Sequence, residues 1–271
     1  MGFAEQAAHE IDRLVIGINR RVGPAHGHQL LAEASKIGLE SLDLLPTFSD
    51  FLLDGLLTRQ VALLRMRYRA EDHIRERLED LEQRELISQT NTGFAATDKL
   101  RPLLKSMRSA LAQVAREVWE HNEVDISVVT ETARVLTETV TPDHVVATAQ
   151  TKVRQPLDRY SLLEQRLVTL RFIRQHEHAE AWLAQGLSAP EIVLMTALWR
   201  EADGDVDEAA LESLRNIGYA KKSDPARLTK TGVKLREKIE EETNTRSEST
   251  FSGLDSETAD RFLSAMRNLP A

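Results

Sequence analysis

The sequence predicts a mainly α-helical protein, and three observations support this fold class. Aromatic residues make up only 5% of the 271 residues and charged residues 29%, a mixture that favours helices over sheets. Apolar residues recur at the spacing of one helix face near the N-terminus and in the middle of the chain. Two similar segments each contain a short hairpin between two helices, so strands are expected only in small hairpins.

The N-terminal region is predicted to form helices of the core or of a subunit interface. Ile11, Leu14, Val15 and Ile18 form an apolar stripe on a helix over residues 4–22, which Gly23-Pro24 should end. His26-Gly27-His28 would then lie in a solvent-exposed turn, with a chelating loop as the alternative. The most apolar stretch, LESLDLLPTFSDFLLDGLL (39–57), belongs in the core or an interface. Residues 1–55 are therefore treated as one N-terminal unit.

An internal repeat relates residues 78–119 to residues 211–251. Leu78 and Leu81 align with Leu211 and Leu214. Further along, Glu85-Leu86-Ile87 aligns with Gly218-Tyr219-Ala220, and Ala96-Thr97 aligns with Leu228-Thr229. Each copy is predicted to form a helix, a short strand, a polar loop, a returning strand and a second helix. Chance similarity between two amphipathic helices is the alternative explanation.

Turn and cap residues support the same two hairpins. Gly218 stands where the residue after a helix takes positive φ, and Ser223-Asp224-Pro225 supplies turn chemistry. Asn91-Thr92-Gly93 marks the other hairpin tip. Thr97 and Thr229 are predicted to cap the helices that follow.

Two further helices are predicted before each hairpin. In the first copy they cover residues 56–68 and 71–84. In the second copy one helix begins at the capping box Ser188–Glu191 and the other covers residues 206–217. The phrase ARLTKTGVKLREKIEEET (226–243) is typical of the wing and following helix of a winged-helix domain. We therefore expect two abbreviated winged-helix (helix-turn-helix-like) repeats, over residues 56–121 and 188–271.

The chain resembles a bacterial family of helix-turn-helix proteins of the tandem winged-helix, MarR-like kind. The segments SALAQVAREVW (109–119), LRFIRQHEHAEAWLAQGLS (170–188) and RLTKTGVKLREKIEEET (227–243) carry the resemblance. It covers about residues 56–271 and implies a tandem winged-helix architecture and a regulatory role. It implies no particular ligand or mechanism.

A helical middle segment, residues 122–187, is predicted to join the repeats. Asp125 can cap one helix, and Thr141-Pro142-Asp143 can start another. A long helix follows Pro156 and is stopped near residue 185 by Gly186. Such a segment links or dimerises domains, so a homodimer is a candidate assembly.

DNA is the predicted partner, although the net charge is −8 and most DNA-binding domains are basic. In the first copy the candidate contacts are Arg65, Arg67, Arg69, Arg75 and Arg77. In the second wing they are Lys221, Lys222, Arg227 and Lys230. The alternative for the first group is a solvated helix face with ion pairs such as Glu71–Arg75 and Asp80–Arg84. The helix before the second wing and the segment leading into it are acidic, and this surface is poorly suited to a groove lined with phosphates. Between Glu201 and Arg215 the acids are Glu201, Asp203, Asp205, Asp207, Glu208 and Glu212.

A small-molecule site is predicted on the long helix. Arg174, His178 and Trp182 recur every four residues and form one stripe, with Tyr160 four turns earlier. Such a stripe could bind an aromatic or acidic effector in a cleft between the repeats. The alternative is that Trp182 packs in the core and His178 pairs locally. His176 and His178 point apart on a helix, so no metal site is expected there.

Several functional classes are disfavoured. The chain has no cysteine, no recognisable catalytic or phosphate-binding motif and no apolar run near 18 residues. The N-terminus lacks the basic start of a secretory signal. We expect a cytoplasmic protein that is not an enzyme, uses no cofactor and does not enter the membrane. The favoured function is a winged-helix transcriptional regulator; the alternative is a winged-helix-derived ligand-binding or protein-interaction module that does not recognise base sequence.

Overall fold

Helices form nearly all the secondary structure, as the composition predicts. The computed structural model describes residues 2–202, 206–223 and 225–271. Within these ranges it contains twelve helices and one two-stranded sheet. The elements are α1 (Phe3–Lys36), α2 (Leu45–Leu53), α3 (Arg59–Arg65), α4 (Glu71–Gln83), β1 (Ile87–Gln89), β2 (Phe94–Ala96), α5 (Arg101–Trp119), α6 (Ile126–Thr137), α7 (Val145–Thr151), α8 (Arg159–Leu183), α9 (Ala189–Trp199), α10 (Glu208–Asn216), α11 (Lys230–Phe251) and α12 (Ser256–Asn268). None of the described helices is both long and apolar enough to cross a bilayer.

The first helix is longer than the sequence predicts. Helix α1 continues through Gly23-Pro24 to Lys36, so the predicted break there is wrong, as is the predicted turn at His26-Gly27-His28. An internal proline weakens a helix by about 3 kcal/mol. Burial of apolar side chains on both sides of it, including Leu30 and Ala34 on the far side, opposes this effect.

A large core surrounds α1 and the N-terminal part of α8. Helix α1 packs against α5, α8, α11 and α12. The end of the chain is tied to this core by side-chain donors. Arg13 donates from Nη1 to the carbonyl of Leu269 (2.9 Å) and from Nη2 to that of Met266 (2.7 Å). The indole Nε1 of Trp119 donates to the carbonyl of Pro270 (2.9 Å).

A second, smaller core lies at the other end of α8. Ala179 and Trp182 contribute to it from α8, together with buried residues of α9, α10 and α11. Leu163, Leu167 and Leu170 of the same helix belong to the large core. One continuous helix therefore supplies residues to both cores.

The two hairpin regions share one hydrogen-bonding pattern. The hydroxyl of Thr97 donates to the carbonyl of Glu85, and that of Thr229 donates to the carbonyl of Gly218, both at 2.8 Å. Glu85 and Gly218 both have positive φ, 58° and 80°. The register is Ile87 with Ala96 in the first hairpin and an isolated bridge between Ala220 and Leu228 in the second.

The helices after the hairpins begin differently. Thr229 accepts from the amide of Gly232 (3.0 Å) and caps α11, as predicted. The prediction that Thr97 caps α5 is wrong, because that helix begins at Arg101. Proline is best tolerated in the first turn of a helix, and Pro102 lies in the first turn of α5.

Most other helix boundaries agree with the predicted signals. Asp125 caps α6, Ser188 and Glu191 form the capping box of α9, and Gly186 takes φ of 73° after α8. The helix expected at Thr141-Pro142-Asp143 instead begins at Val145. These residues form a turn in which Thr141 contacts His144.

Substitution of Gly93 tests the packing of the first hairpin on the chain before α3. The amide of Phe94 donates to the carbonyl of Leu57 (2.8 Å), and a Cβ at Gly93 would lie 2.4 Å from that oxygen. We expect Gly93→Ala to lower the free energy of unfolding by about 1–3 kcal/mol, measured by urea denaturation.

Gly27→Ala is the matched control. A Cβ at Gly27 meets nothing within 4 Å, so alanine within α1 should raise the free energy of unfolding by about 0.5–1 kcal/mol. Equal stability of the two variants would show that the hairpin does not pack on Leu57 as described.

Candidate functional site

Two arginines of the first basic group are partly buried rather than free. The guanidinium of Arg65 lies over the ring of Phe172, 4.6 Å from its centroid. Burial, and then the nearby Arg171, lower the pKa of Arg65 to about 10. Arg67 donates from Nε to the carbonyl of Leu64 (2.9 Å), and burial lowers its pKa. These two side chains hold α3 and the turn after it in place.

The remaining arginines of this group lie on or just before α4, and two of them are paired. Arg75 forms an ion pair with Asp72. Arg77 lies 2.5 Å from Asp43, which reaches it from the segment before α2. Arg69 is exposed in the turn between α3 and α4. The expected Asp80–Arg84 pair is present at 2.8 Å.

The second basic group is exposed and unpaired. Lys221, Lys222, Arg227 and Lys230 all face solvent, and within the described residues none of them forms an ion pair. Their loop is closed by the amide of Lys221, which donates to the carbonyl of Arg227 (2.8 Å). Arg215 at the end of α10 donates to the carbonyl of Lys221 (3.1 Å). These four side chains, the basic wing, are available to a polyanion.

Acidic residues lie next to the basic wing on α10 and before it. Asp207 caps α10 by accepting from the amide of Ala210 (3.0 Å). Glu201, Glu208 and Glu212 are exposed. Asp203, Asp205 and Asp224 of the predicted acidic and turn positions lie outside the described residues. The surface of α10 is therefore negative where a recognition helix would face phosphates.

A cavity of about 340 Å³ lies between the two cores, among α1, α8, α9 and α11. Arg174 and His178 of the predicted stripe line it. Trp182 and Tyr160 are not among its lining residues. Trp182 packs in the smaller core with its ring 6.4 Å from that of Tyr68, and Tyr160 lies buried at the other end of α8 beneath Arg159.

Arginine charge in this cavity exceeds the acidic charge. Arg236 is 2% exposed and lies 2.6 Å from Glu240, and its Nε donates to the hydroxyl of Thr196 (3.0 Å). Arg174 pairs with the same carboxylate at 3.2 Å. A single carboxylate thus faces two guanidiniums. The Nη1 atom of Arg174 is buried with no hydrogen-bond partner among the described residues.

The other polar groups in the cavity do not cancel this excess. Arg171 is paired with Asp12 at 2.6 Å, and Arg200 adds a further cation at an exposed edge. Burial lowers the pKa of His178 to about 4, although Glu240 lies 3.9 Å away. His178 is therefore neutral at pH 7, and its Nδ1 is 3.1 Å from the hydroxyl of Thr243.

A polar cluster that the sequence analysis did not predict joins α7 to α8. It consists of His144, His176 and Glu177. The spacing of His176 and His178 concerns neighbours on one helix, whereas His144 lies 33 residues before Glu177 in the sequence. No local spacing could have shown that these side chains meet.

Comparison with known proteins supplies the family. A model described as a helix-turn-helix family matches residues 83–271, well over half of the chain. The chain belongs to this helix-turn-helix family. No match was found among curated proteins or among solved structures.

The helix-turn-helix match does not cover the two predicted repeats equally. It begins at the last residue of α4 and contains all of α9, α10 and α11 with the basic wing. The first basic group, from Arg65 to Arg77, lies before it. Helix-turn-helix proteins place a helix in the DNA major groove, so family membership indicates DNA as the partner.

The neutral state of His178 predicts a pH effect on stability. Its pKa is near 6.5 in an unfolded chain and about 4 in the folded protein. Below pH 6.5 the unfolded state binds more protons at this residue, so the free energy of unfolding falls as the pH is lowered from 6.5 to 4. Denaturation of His178→Gln over this range should show a smaller fall.

The control variant is His73→Gln, at an exposed position of α4. It should keep the wild-type dependence of stability on pH. If His178→Gln also kept it, His178 would not be held in its neutral form.

Proposed function

We propose that this helix-turn-helix protein is a DNA-binding transcriptional regulator with two winged-helix repeats of the MarR-like kind. The observation that carries the proposal is the exposed basic wing, which forms no ion pair among the described residues, inside a segment that belongs to a helix-turn-helix family. Such side chains contact phosphates at little cost, because no ion pair within the described part of the chain has to be broken first.

The shared hairpin pattern supports two repeats. In each copy a threonine hydroxyl, Thr97 or Thr229, closes the turn onto a residue of positive φ after a helix. In each copy two helices precede this turn, α3 and α4 or α9 and α10. The second helix of each pair has the position of a recognition helix.

The two repeats differ in what they offer to DNA. The first offers Arg69 and the paired Arg75 and Arg77, whose ion pairs a phosphate or a guanine would have to replace. Arg65 and Arg67 are partly buried and hold α3 and the turn after it in place. The second repeat offers the basic wing beside an acidic α10. We propose that the wing provides phosphate contacts and the first repeat provides base contacts.

The cavity provides a place for an effector. Tyr68, in the turn between α3 and α4, lines it, and so do Arg236 and Glu240 of α11, the helix that begins at the basic wing. A bound molecule would therefore touch elements of both repeats, and differential binding would shift the DNA-binding equilibrium. The excess of guanidinium over carboxylate, with Ile11, Ile173 and other apolar lining, favours an organic anion.

A ligand-binding or protein-interaction module is the second candidate. The exposed acids Glu208 and Glu212 on α10 favour it, because they would be repelled by DNA phosphates at close range. In this case the basic wing would bind polyanions without sequence preference.

Removal of the wing lysines tests the DNA proposal. For the double variant Lys221→Ala, Lys222→Ala we expect a loss of affinity that is uniform across DNA sequences. The slope of log K against log salt should fall in magnitude by about 2, because two phosphate contacts are removed. Fluorescence anisotropy with genomic fragments, from low to physiological salt, measures both the affinity and its dependence on salt.

Matched variants separate the possible outcomes. The control is Lys36→Ala, Lys152→Ala, two exposed lysines outside both predicted repeats, which should leave binding unchanged. Arg69→Ala, Arg75→Ala should remove sequence preference. Wild-type binding that ignores sequence and disappears at physiological salt would reject the regulator in favour of the module.

The effector proposal is tested on one cavity arginine. Arg174→Gln should weaken binding of aromatic and aliphatic monocarboxylates by about tenfold, since a hydrogen bond to a charged group contributes roughly 1.5–3 kcal/mol. Calorimetry with each carboxylate and its uncharged amide measures this. Arg134→Gln, an exposed arginine of α6, is the control. Amides that bind as well as the acids would contradict the anionic effector.

A further inference from the structure

The cluster of His144, His176 and Glu177 brings three metal-ligating groups together in a half-buried place. The Nε2 atom of His144 is 2.9 Å from Oε1 of Glu177. The rings of His144 and His176 meet edge to face with centroids 4.8 Å apart. One ligating atom from each of the three residues lies within 4.8 Å of the other two.

We infer that these three residues form a binding site for a divalent transition-metal ion, with zinc as the ion that fits best. Two imidazole nitrogens and one carboxylate oxygen are ligands that zinc takes in proteins. Magnesium and calcium prefer sets made of oxygen alone, so this donor set discriminates against them. A water molecule would complete four-fold coordination.

The distances are close to those of a zinc site. Ligands that are each about 2.0–2.1 Å from a tetrahedral ion lie roughly 3.3 Å from one another. The His144–Glu177 pair, at 2.9 Å, already has nearly this separation. The three ligating atoms all lie within 4.8 Å of one another, at most about 1.5 Å more than this separation. We expect rotation of a side chain to close the remaining gap.

The backbone holds the ligands from two elements. His176 and Glu177 are successive residues of α8, and His144 is the residue before the first turn of α7. Helix α7 packs on α8, so the groups approach from opposite sides. The hydroxyl of Thr141 lies 2.8 Å from Nδ1 of His144, and the amide of Thr141 donates to the same nitrogen (3.4 Å). With Nδ1 accepting, Nε2 carries the proton and donates to Glu177. A metal ion would take the place of this proton, and Nδ1 would then donate to the hydroxyl of Thr141.

Charges of both signs lie near the three ligands. Glu180 favours a cation at this place, whereas Arg67 and Arg246 oppose one.

The site is shielded enough from solvent to strengthen metal binding, yet open enough for an ion to enter. The side chains of His144 and Glu177 are each 14% exposed. A metal here would join α7 firmly to α8, and α7 also packs on α3. A bound metal ion would thus stabilise the packing of α7 against α3, in the predicted first repeat. This effect does not depend on whether the protein regulates transcription.

Zinc titration of the protein without a histidine tag tests the site. In calorimetry with ZnCl2 we expect one Zn²⁺ ion to bind per chain. Binding should raise the melting temperature, since a ligand that binds only the folded state stabilises it. MgCl2 at the same concentration should do neither. His176→Gln and Glu177→Gln should each weaken zinc binding by about tenfold or more.

The control variant is His121→Gln, an exposed histidine at the end of α5, which should bind zinc like the wild type. A cooperative unfolding transition without zinc shows that each variant is folded. With two independent ligand variants, the test still works if one of them does not fold. Zinc affinity that is unchanged in both ligand variants, or reduced equally in His121→Gln, would overturn the site. DNA binding does not enter any of these measurements.

Discussion

The structure depends on the burial of α8 in two hydrophobic cores. At 1.5 Å per residue this 25-residue helix is about 37 Å long. Leu163 and Leu167 lie in the large core and Trp182 in the small one. A helix is stiff over this length, so α9 and α10 of the small core cannot move relative to the large core without a change in packing at one of the cores. The cavity and the histidine cluster both lie on this helix, between its two anchored ends.

Buried arginines are the second constraint. Arg65 lies over an aromatic ring and Arg236 shares one carboxylate with Arg174. A guanidinium removed from water is expensive unless it is paired and hydrogen-bonded. Arg65 and Arg174 each have a buried nitrogen without a hydrogen-bond partner among the described residues. Places that keep such a cost in a folded protein are often functional, which is why the cavity carries the effector proposal.

Much of the local structure could be predicted from sequence because short-range rules decide it. The caps at Asp125, Ser188 and Thr229 each depend on atoms three or four residues away. The failures involve long-range packing. Helix α1 continues past Pro24 because both halves are buried. Arg77 pairs with Asp43, 34 residues earlier. No periodicity in a single sequence reports such a contact.

The contact between Tyr68 and Trp182 also makes the molecule its own optical reporter. The two rings are 6.4 Å apart, and Tyr68 lies in the turn between α3 and α4. An indole at this position would change its fluorescence when that turn moves relative to α8. Trp119 is buried in the large core, and the ring of Trp199 lies 5.2 Å from the guanidinium of Arg236. With Trp119 and Trp199 replaced by phenylalanine, Trp182 would report movement of this turn without an attached label.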